Sequence, residues 1–182
     1  MYESDLSTRN PVVPGVSAID FHDADLSGID LKDIDLRWAN LKGACLCGAD
    51  LRGVDLRGAV LVDAEMHNAY LIGANLRGAD LRRASLQGAF LLNTDLSYAD
   101  LRGADLSEAN LLWANLREAD LRGANLCAEN LQRANLRGAK YAGNGHQEQL
   151  DSATDRLFPR HTTWPDDFDP QEARALLLDV EA

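Results

Sequence analysis

Ala99-Asp100-Leu101-Arg102-Gly103, Ala104-Asp105-Leu106-Ser107-Glu108 and Ala109-Asn110-Leu111-Leu112-Trp113 are successive copies of one five-residue pattern. The pattern runs without a break from about Ile19 to Ala142, as 25 pentapeptides. A large apolar residue returns at every fifth position from Phe21 to Tyr141; 22 of the 25 are Leu, the others being Phe21, Met66 and Tyr141. Two residues earlier stands a small residue, Ala in 19 of 25 cases, and the residue between is usually Asp or Asn. An internal repeat of this regularity decides the fold before any local propensity does.

Neither regular element fits a period of five. In an α-helix, at about 100° per residue, successive Leu positions would be rotated by about 140° and scatter around the axis. In a straight strand an odd repeat would send successive Leu side chains to opposite faces. The pattern works if the chain turns once per repeat. With the Leu position called i, positions i−2 and i face inward from a short extended segment, i−1 points outward, and i+1 and i+2 carry a corner. Gly43, Gly58, Gly78, Gly103 and Gly123 stand at i+2, where a Cβ is often unwelcome. Four quarter-turns close a square of 20 residues, giving about six coils from these repeats. Stacked at about 4.8 Å, they form a rod of roughly 30 Å.

The repeats resemble the pentapeptide-repeat family, whose motif is A(D/N)LXX, over about two-thirds of the chain. The resemblance implies an all-β solenoid, a right-handed quadrilateral β-helix with the Leu ladder on its axis and Ala permitting close approach of the wall. Each rung then rests mainly on its neighbours. Three segments follow: a lead-in and cap at 1–15, the β-helix at 16–142, and a C-terminal tail at 143–182 with a capping helix at about 170–180. Asp169 suits the N-cap, Pro170 the first helical position and Glu172 the third, while Ala173, Leu176, Leu177 and Val180 form an apolar stripe. The stretch from Phe158-Pro159 to Phe168-Asp169-Pro170 looks like the tail that follows the coil in many bacterial, notably cyanobacterial, members. Ile19, Ile29, Ile34 and Val54 replace Ala at i−2 and read either as filling a wider first coil or as simple packing variation.

The net charge of −11 is unevenly spread. Residues 16–35 hold Asp20, Asp23, Asp25, Asp30, Asp33 and Asp35 against Lys32 alone, while acids and bases nearly balance over the rest of the rod. That balance argues against a large basic nucleic-acid surface. No signal peptide and no apolar run long enough to span a membrane is present, so the expected location is cytoplasmic. Cys45, Cys47 and Cys127 make no disulfide framework; Cys47 and Cys127 share a column roughly 19 Å apart at the strand spacing, too far to bond.

Aligning the outward positions by steps of 20 residues isolates four departures from a bland surface. Arg37, Arg57, Arg77, Arg117 and Arg137 form a column interrupted by Ser97, beside Asp35, Asp55, Asn75, Asp95, Asn115 and Asn135. We read it as a solvated face of cross-rung charge pairs rather than an anion-binding stripe. Tyr70, Ile72, Phe90, Leu92, Leu112 and Trp113 form an apolar patch on one face over three successive coils, with Tyr98 and Trp38 near the next corner. Such a patch marks either an interface, with a protein partner or a second copy, or the seat of the C-terminal tail folded back. Cys45 and Cys47 stack under Glu65 and His67, four ligand-type side chains whose spacing matches no established zinc signature. Glu129 stands at an inward position, where a lone carboxylate is costly, and Thr94 is a milder inward exception expected to bond nearby backbone.

No catalytic constellation emerges, and His22, His67, His146 and His161 are dispersed. The expectation is therefore no catalytic residue, no cofactor and no metal. The reading is a non-enzymatic protein-binding or scaffold module that uses the Tyr70–Trp113 patch, with the partner unnamed, a homodimer as one form of it, and no membrane. The alternative comes from the resemblance: quinolone- and albicidin-type resistance proteins of this family mimic DNA and bind type II topoisomerases such as gyrase. The acidic first coil fits that alternative; the balanced Arg/Asp surface and the apolar patch do not.

Overall fold

The computed structural model describes residues 19–32, 34–126, 131 and 133–140. The lead-in at 1–15, Val16, Glu129 and the tail at 143–182 with its expected helix lie outside the described residues.

Within them every backbone bridge is parallel and joins residues 20 apart. One column alone runs Asp20, Asn40, Val60, Asp80, Asp100, Asp120, Lys140. Every bridging residue is at i−1, so each pentapeptide contributes one extended residue and one corner, and four pentapeptides bring the chain back above itself. The four sides are named here by their first bridging residue: the Asp20, Asp25, Asp30 and Asp35 sides.

One rung shows why five residues suffice. Asp80 N–H donates to Ala59 O of the coil below at 3.0 Å, and Leu81 N–H to Asp100 O of the coil above at 2.8 Å. Arg83 N–H also reaches upward, to Arg102 O at 3.0 Å, and Ala84 N–H closes the corner on Leu81 O at 3.0 Å. The remaining donor, Arg82 N–H, is taken by the Asp80 side chain at 3.3 Å. All five amides of the rung are thus satisfied. This last bond explains the Asp or Asn at i−1: its Oδ1 caps the amide two residues on, as an Asx-turn does.

The i+2 residue has positive φ throughout, as a type II turn requires of its third residue, in glycines such as Gly58 (φ 66) and in bulkier residues such as Trp38 (61), Tyr98 (61) and Trp113 (61). Conformation, more than room, sets the glycine preference. At Gly28, Gly48, Gly53, Gly73 and Gly78 nothing within 4 Å would meet a Cβ.

The axis is the expected ladder. Every Leu from Leu36 to Leu116 at position i, and Met66 among them, is fully buried, with the Ala wall packed around it. Thr94 is buried among the alanines, and its hydroxyl donates to Leu71 O at 2.7 Å, as anticipated. The substitutions near the N-terminal end divide. Val54 is buried and fills its coil, but Ile29 and Ile34 are each 42% exposed and Ile19 is exposed too. They belong to the first described coil, which is stacked on one side only among the described residues, so they do not serve as filling.

Candidate functional site

The Asp30 side changes character along its length. Its first two rungs are charged: Lys32 Nζ lies 3.0 Å from Asp30 Oδ2 and 3.3 Å from Asp50 Oδ2, and Arg52 clasps Asp50 through two bonds of 2.8 and 2.6 Å. The next three rungs carry Tyr70 and Ile72, Phe90 and Leu92, Asn110 and Leu112. Tyr70 and Phe90 bridge each other in register, so their rings stack with centroids 5.0 Å apart and planes 5° from parallel. They remain 43% and 38% exposed. Ile72 is exposed beside Tyr70, while Leu92 and Leu112 are half-buried between rungs.

Tyr70 and Phe90 occupy the bridging position that is usually Asp or Asn, though Cys45, Val60, Glu65, Ser85 and Lys140 stand there too. Neither has an acceptor that can cap the amide two residues on, so both lack the local bond that Asp or Asn makes at other corners, such as Asp80 to Arg82 N–H. The ring stack offsets the lost turn bonds; what sets the pair apart from other bridging residues without Asp or Asn is that two large aromatic faces stay exposed.

Trp113 closes the patch at the following corner, 47% exposed. The corresponding corner of the next coil is Arg133, whose guanidinium carbon lies 4.7 Å from the Trp113 ring centroid. The structure therefore brings together all six residues that the alignment singled out, and adds Arg133. The same alignment held the signal, because Arg133 is 20 residues beyond Trp113. One corner further, Arg77 lies over Tyr98 at 4.8 Å.

The charged columns pair differently from expectation. Arg37 and Arg57 fold back on Asp35 and Asp55 of their own rungs at 2.5 and 2.6 Å, whereas the cross-rung approach of Arg37 to Asp55 is 4.0 Å. Residues i−1 and i+1 flank the buried Leu on one face, about 7 Å apart along an extended chain, which is within reach of one arginine. The Arg37 guanidinium and backbone N–H hold the Asp35 carboxyl down to about 2. A second such ladder, Asp80–Arg82, Asp100–Arg102 and Asp120–Arg122 on the Asp20 side, was not singled out from the sequence although it follows the same step of 20.

The third group gathers on the Asp25 side. Cys45 bridges Glu65, and Cys45, Cys47 and Glu65 each offer a ligand atom within 4.8 Å of the others. The sulfurs of Cys45 and Cys47 are 3.3 Å apart, and Ser27 Oγ lies 3.0 Å from Cys45 Sγ and donates to Asp25 Oδ1 at 2.7 Å. The Ser27 hydroxyl and the Cys47 backbone N–H lower the Cys45 thiol's pKa, whereas burial raises that of Cys47. His67 is not drawn in; its Nδ1 lies 3.3 Å from Ser85 Oγ instead.

The family model for pentapeptide repeats matches residues 19–58, 46–78, 74–111 and 114–140, in 8 copies. Among solved structures, a pentapeptide repeat protein of the Arabidopsis thaliana thylakoid lumen is 38% identical, covering 56% of this chain and 71% of that one, with a TM-score of 0.50. HetL, a pentapeptide repeat protein involved in heterocyst differentiation regulation in the cyanobacterium Nostoc sp. strain PCC 7120, is 36% identical, covering 68% of this chain and 62% of that one, with a TM-score of 0.27. QnrB1, a plasmid-mediated fluoroquinolone resistance protein, is 18% identical, covering 90% of this chain and 86% of that one, with a TM-score of 0.42. No curated protein matches.

Proposed function

The chain belongs to the pentapeptide-repeat family, whose members form right-handed quadrilateral β-helices, and we propose that it is a non-enzymatic binding module that docks a protein partner on the Asp30 side of its rod. In this reading the rod has about six coils, its C-terminal tail ends in a short capping helix, and the protein works in the cytoplasm. The observation that carries the proposal is the exposed Tyr70–Phe90 stack, which follows Asp30 and Asp50 in the same column of bridging residues.

Size decides what the patch can do. Exposed Tyr70, Ile72, Phe90 and Trp113 with half-buried Leu92 and Leu112 amount to at most a few hundred Å², against about 800 Å² per partner in a stable interface. The patch therefore supplies the apolar centre, with Trp113 as aromatic anchor. Arg52 and Arg133 form the polar rim. Flat rungs and stacked rings favour a partner with a flat apolar face, another protein or a second copy of this one.

Mimicry of DNA, the alternative, draws less support. Asp35, Asp50, Asp55, Asp80, Asp100 and Asp120, spread over three sides, each carry an arginine two residues on that offsets the carboxylate's charge. DNA itself draws less support as a partner for the same reason, since Arg37, Arg52, Arg57, Arg82, Arg102 and Arg122 are engaged by carboxylates.

The test combines Phe90→Ser with Trp113→Gly. Capture of a partner, or self-association in sedimentation velocity, is lost in the double variant while its circular dichroism stays that of the parent. Equal binding by parent and variant removes the patch as the docking surface. Inhibition of gyrase supercoiling by both proteins alike promotes the mimicry reading in its place.

A further inference from the structure

We propose that Cys45 Sγ, Cys47 Sγ and a Glu65 carboxylate oxygen form a zinc site on the Asp25 side of the rod, with the fourth coordination position facing outward.

The chain's architecture creates the cluster. Cys45 and Cys47 flank the buried Leu46 at positions i−1 and i+1, so both sulfurs leave the same face of one rung. Glu65 stands directly above Cys45 as its bridge partner in the next coil. The two rungs are fixed to each other through their main chains: Leu46 N–H donates to Glu65 O at 2.7 Å, and Gly48 N–H to His67 O at 2.9 Å. Little ordering is left for a metal to impose.

The geometry is close to what zinc requires. Tetrahedral zinc with Zn–S bonds of about 2.3 Å places two thiolate sulfurs about 3.8 Å apart. Here they stand at 3.3 Å, so the side chains need to open by only about half an ångström. All three ligand atoms lie within 4.8 Å of one another; tetrahedral zinc holds a sulfur and a carboxylate oxygen about 3.5 Å apart, so the exposed Glu65 side chain closes on the sulfurs as the ion binds. The donor set, two soft sulfurs and one carboxylate, suits zinc better than the hard cations magnesium or calcium, which take oxygen ligands.

Partners beyond the ligands are also in place. Ser27 lies against Cys45 Sγ, where its hydroxyl can turn from Asp25, one coil below Cys45, to donate to the ligating thiolate. Such outer contacts orient the ligating atom. Binding releases the thiol protons to solvent as the sulfurs ligate. Three protein ligands leave one position for water or for an atom offered by a docked molecule. His67, turned toward Ser85, is not a ligand in this arrangement. The sequence alone favoured no metal because its spacing fits no linear zinc motif; the ligands converge across the 20-residue step of the coil.

The experiment uses the full chain carrying Cys127→Ser, reduced and stripped of metal with a chelator, so that Cys45 and Cys47 are the remaining thiols. Cobalt(II) is added as a spectroscopic probe, and zinc affinity is read by competition with a chromogenic chelator. The expected result is one cobalt per chain with a near-ultraviolet thiolate-to-metal charge-transfer band that zinc abolishes. Cys45→Ser and Cys47→Ser each lose the band while their circular dichroism is unchanged. Glu65→Gln weakens zinc binding more than roughly tenfold, Ser27→Ala about tenfold, and His67→Ala leaves it unchanged. Absence of the band at excess cobalt in the parent overturns the site. So does a band that Cys45→Ser or Cys47→Ser alone leaves at full strength.

Discussion

The indole of Trp38 lies where a Cβ on Gly58 would have to go, one coil above it at the same corner. Gly58 is further held at φ 66, where an L side chain costs about 1–2 kcal/mol. Gly58→Ala therefore carries both penalties. Gly78→Ala, at φ 67 with nothing within 4 Å of its Cβ, carries the backbone penalty alone. Chemical denaturation should rank Gly58→Ala as the more destabilising, and the difference between the two measures what displacing Trp38 costs.

Trp113 presents the reverse case. An indole at φ 61 bears the left-handed strain that glycine escapes. Trp113→Gly removes about 1–2 kcal/mol of that strain and forfeits a cation–π contact with Arg133 worth about 0.5–1 kcal/mol. The two nearly cancel, so the melting temperature should stay the same or rise slightly. If partner capture or self-association falls at the same time, the tryptophan is retained for binding; a large loss of stability would show instead that it holds the corner.

Ser97 interrupts the Arg column for a reason the sequence conceals. It is buried, and among the described residues its Oγ has no hydrogen-bond partner. A buried hydroxyl without a partner costs about 1–3 kcal/mol, so Ser97→Ala should raise stability by about 1 kcal/mol. Thr94, inward in the same repeat, is the contrast: its hydroxyl bonds Leu71 O, and Thr94→Val should destabilise by leaving that pairing unmade. Paired melts of the two variants should move in opposite directions.

The architecture was legible because every rung solves the same local problem. Leu, Ala and Asp at fixed phases dictate axis, wall and turn cap, and 20-residue alignment then places Tyr70 beside Phe90 and Cys45 beneath Glu65 without coordinates. Reach and rotamer were not legible. Position alone did not show that an arginine would fold back on its own rung, or that His67 would turn to Ser85 and leave three ligands where four were aligned. Arg133 escaped notice because its role is fixed by the residue beneath it rather than by its own repeat.

The ladder should also be graded along the rod. Leu81, fully buried with coils on both sides, should lose about 2–5 kcal/mol on replacement by Ala. Leu26, 9% exposed in the first described coil, has fewer neighbours to abandon, and Leu26→Ala should cost less. Equal losses at both positions would mean that the first coil is covered as thoroughly as the middle ones.

Acid should weaken the fold where an arginine of the same rung holds a carboxyl below its ordinary value. Asp35 is the clearest case, its carboxyl drawn from an ordinary 3.8 to about 2 by the Arg37 guanidinium and backbone N–H. A carboxylate whose folded value lies below its unfolded value favours the folded state above the unfolded value, and that contribution disappears as pH falls through the folded one. The pairing thus contributes fully above about pH 4 and is lost by about pH 2. Both partners are exposed, so the effect is screened by salt. Denaturation curves across this range should therefore fall less steeply for Asp35→Asn than for the parent, and the gap should narrow as salt is added. Carboxyl chemical shifts report the same titration directly: an Asp35 midpoint near 3.8 would mean that in solution the Arg37 side chain does not hold its own rung's carboxylate.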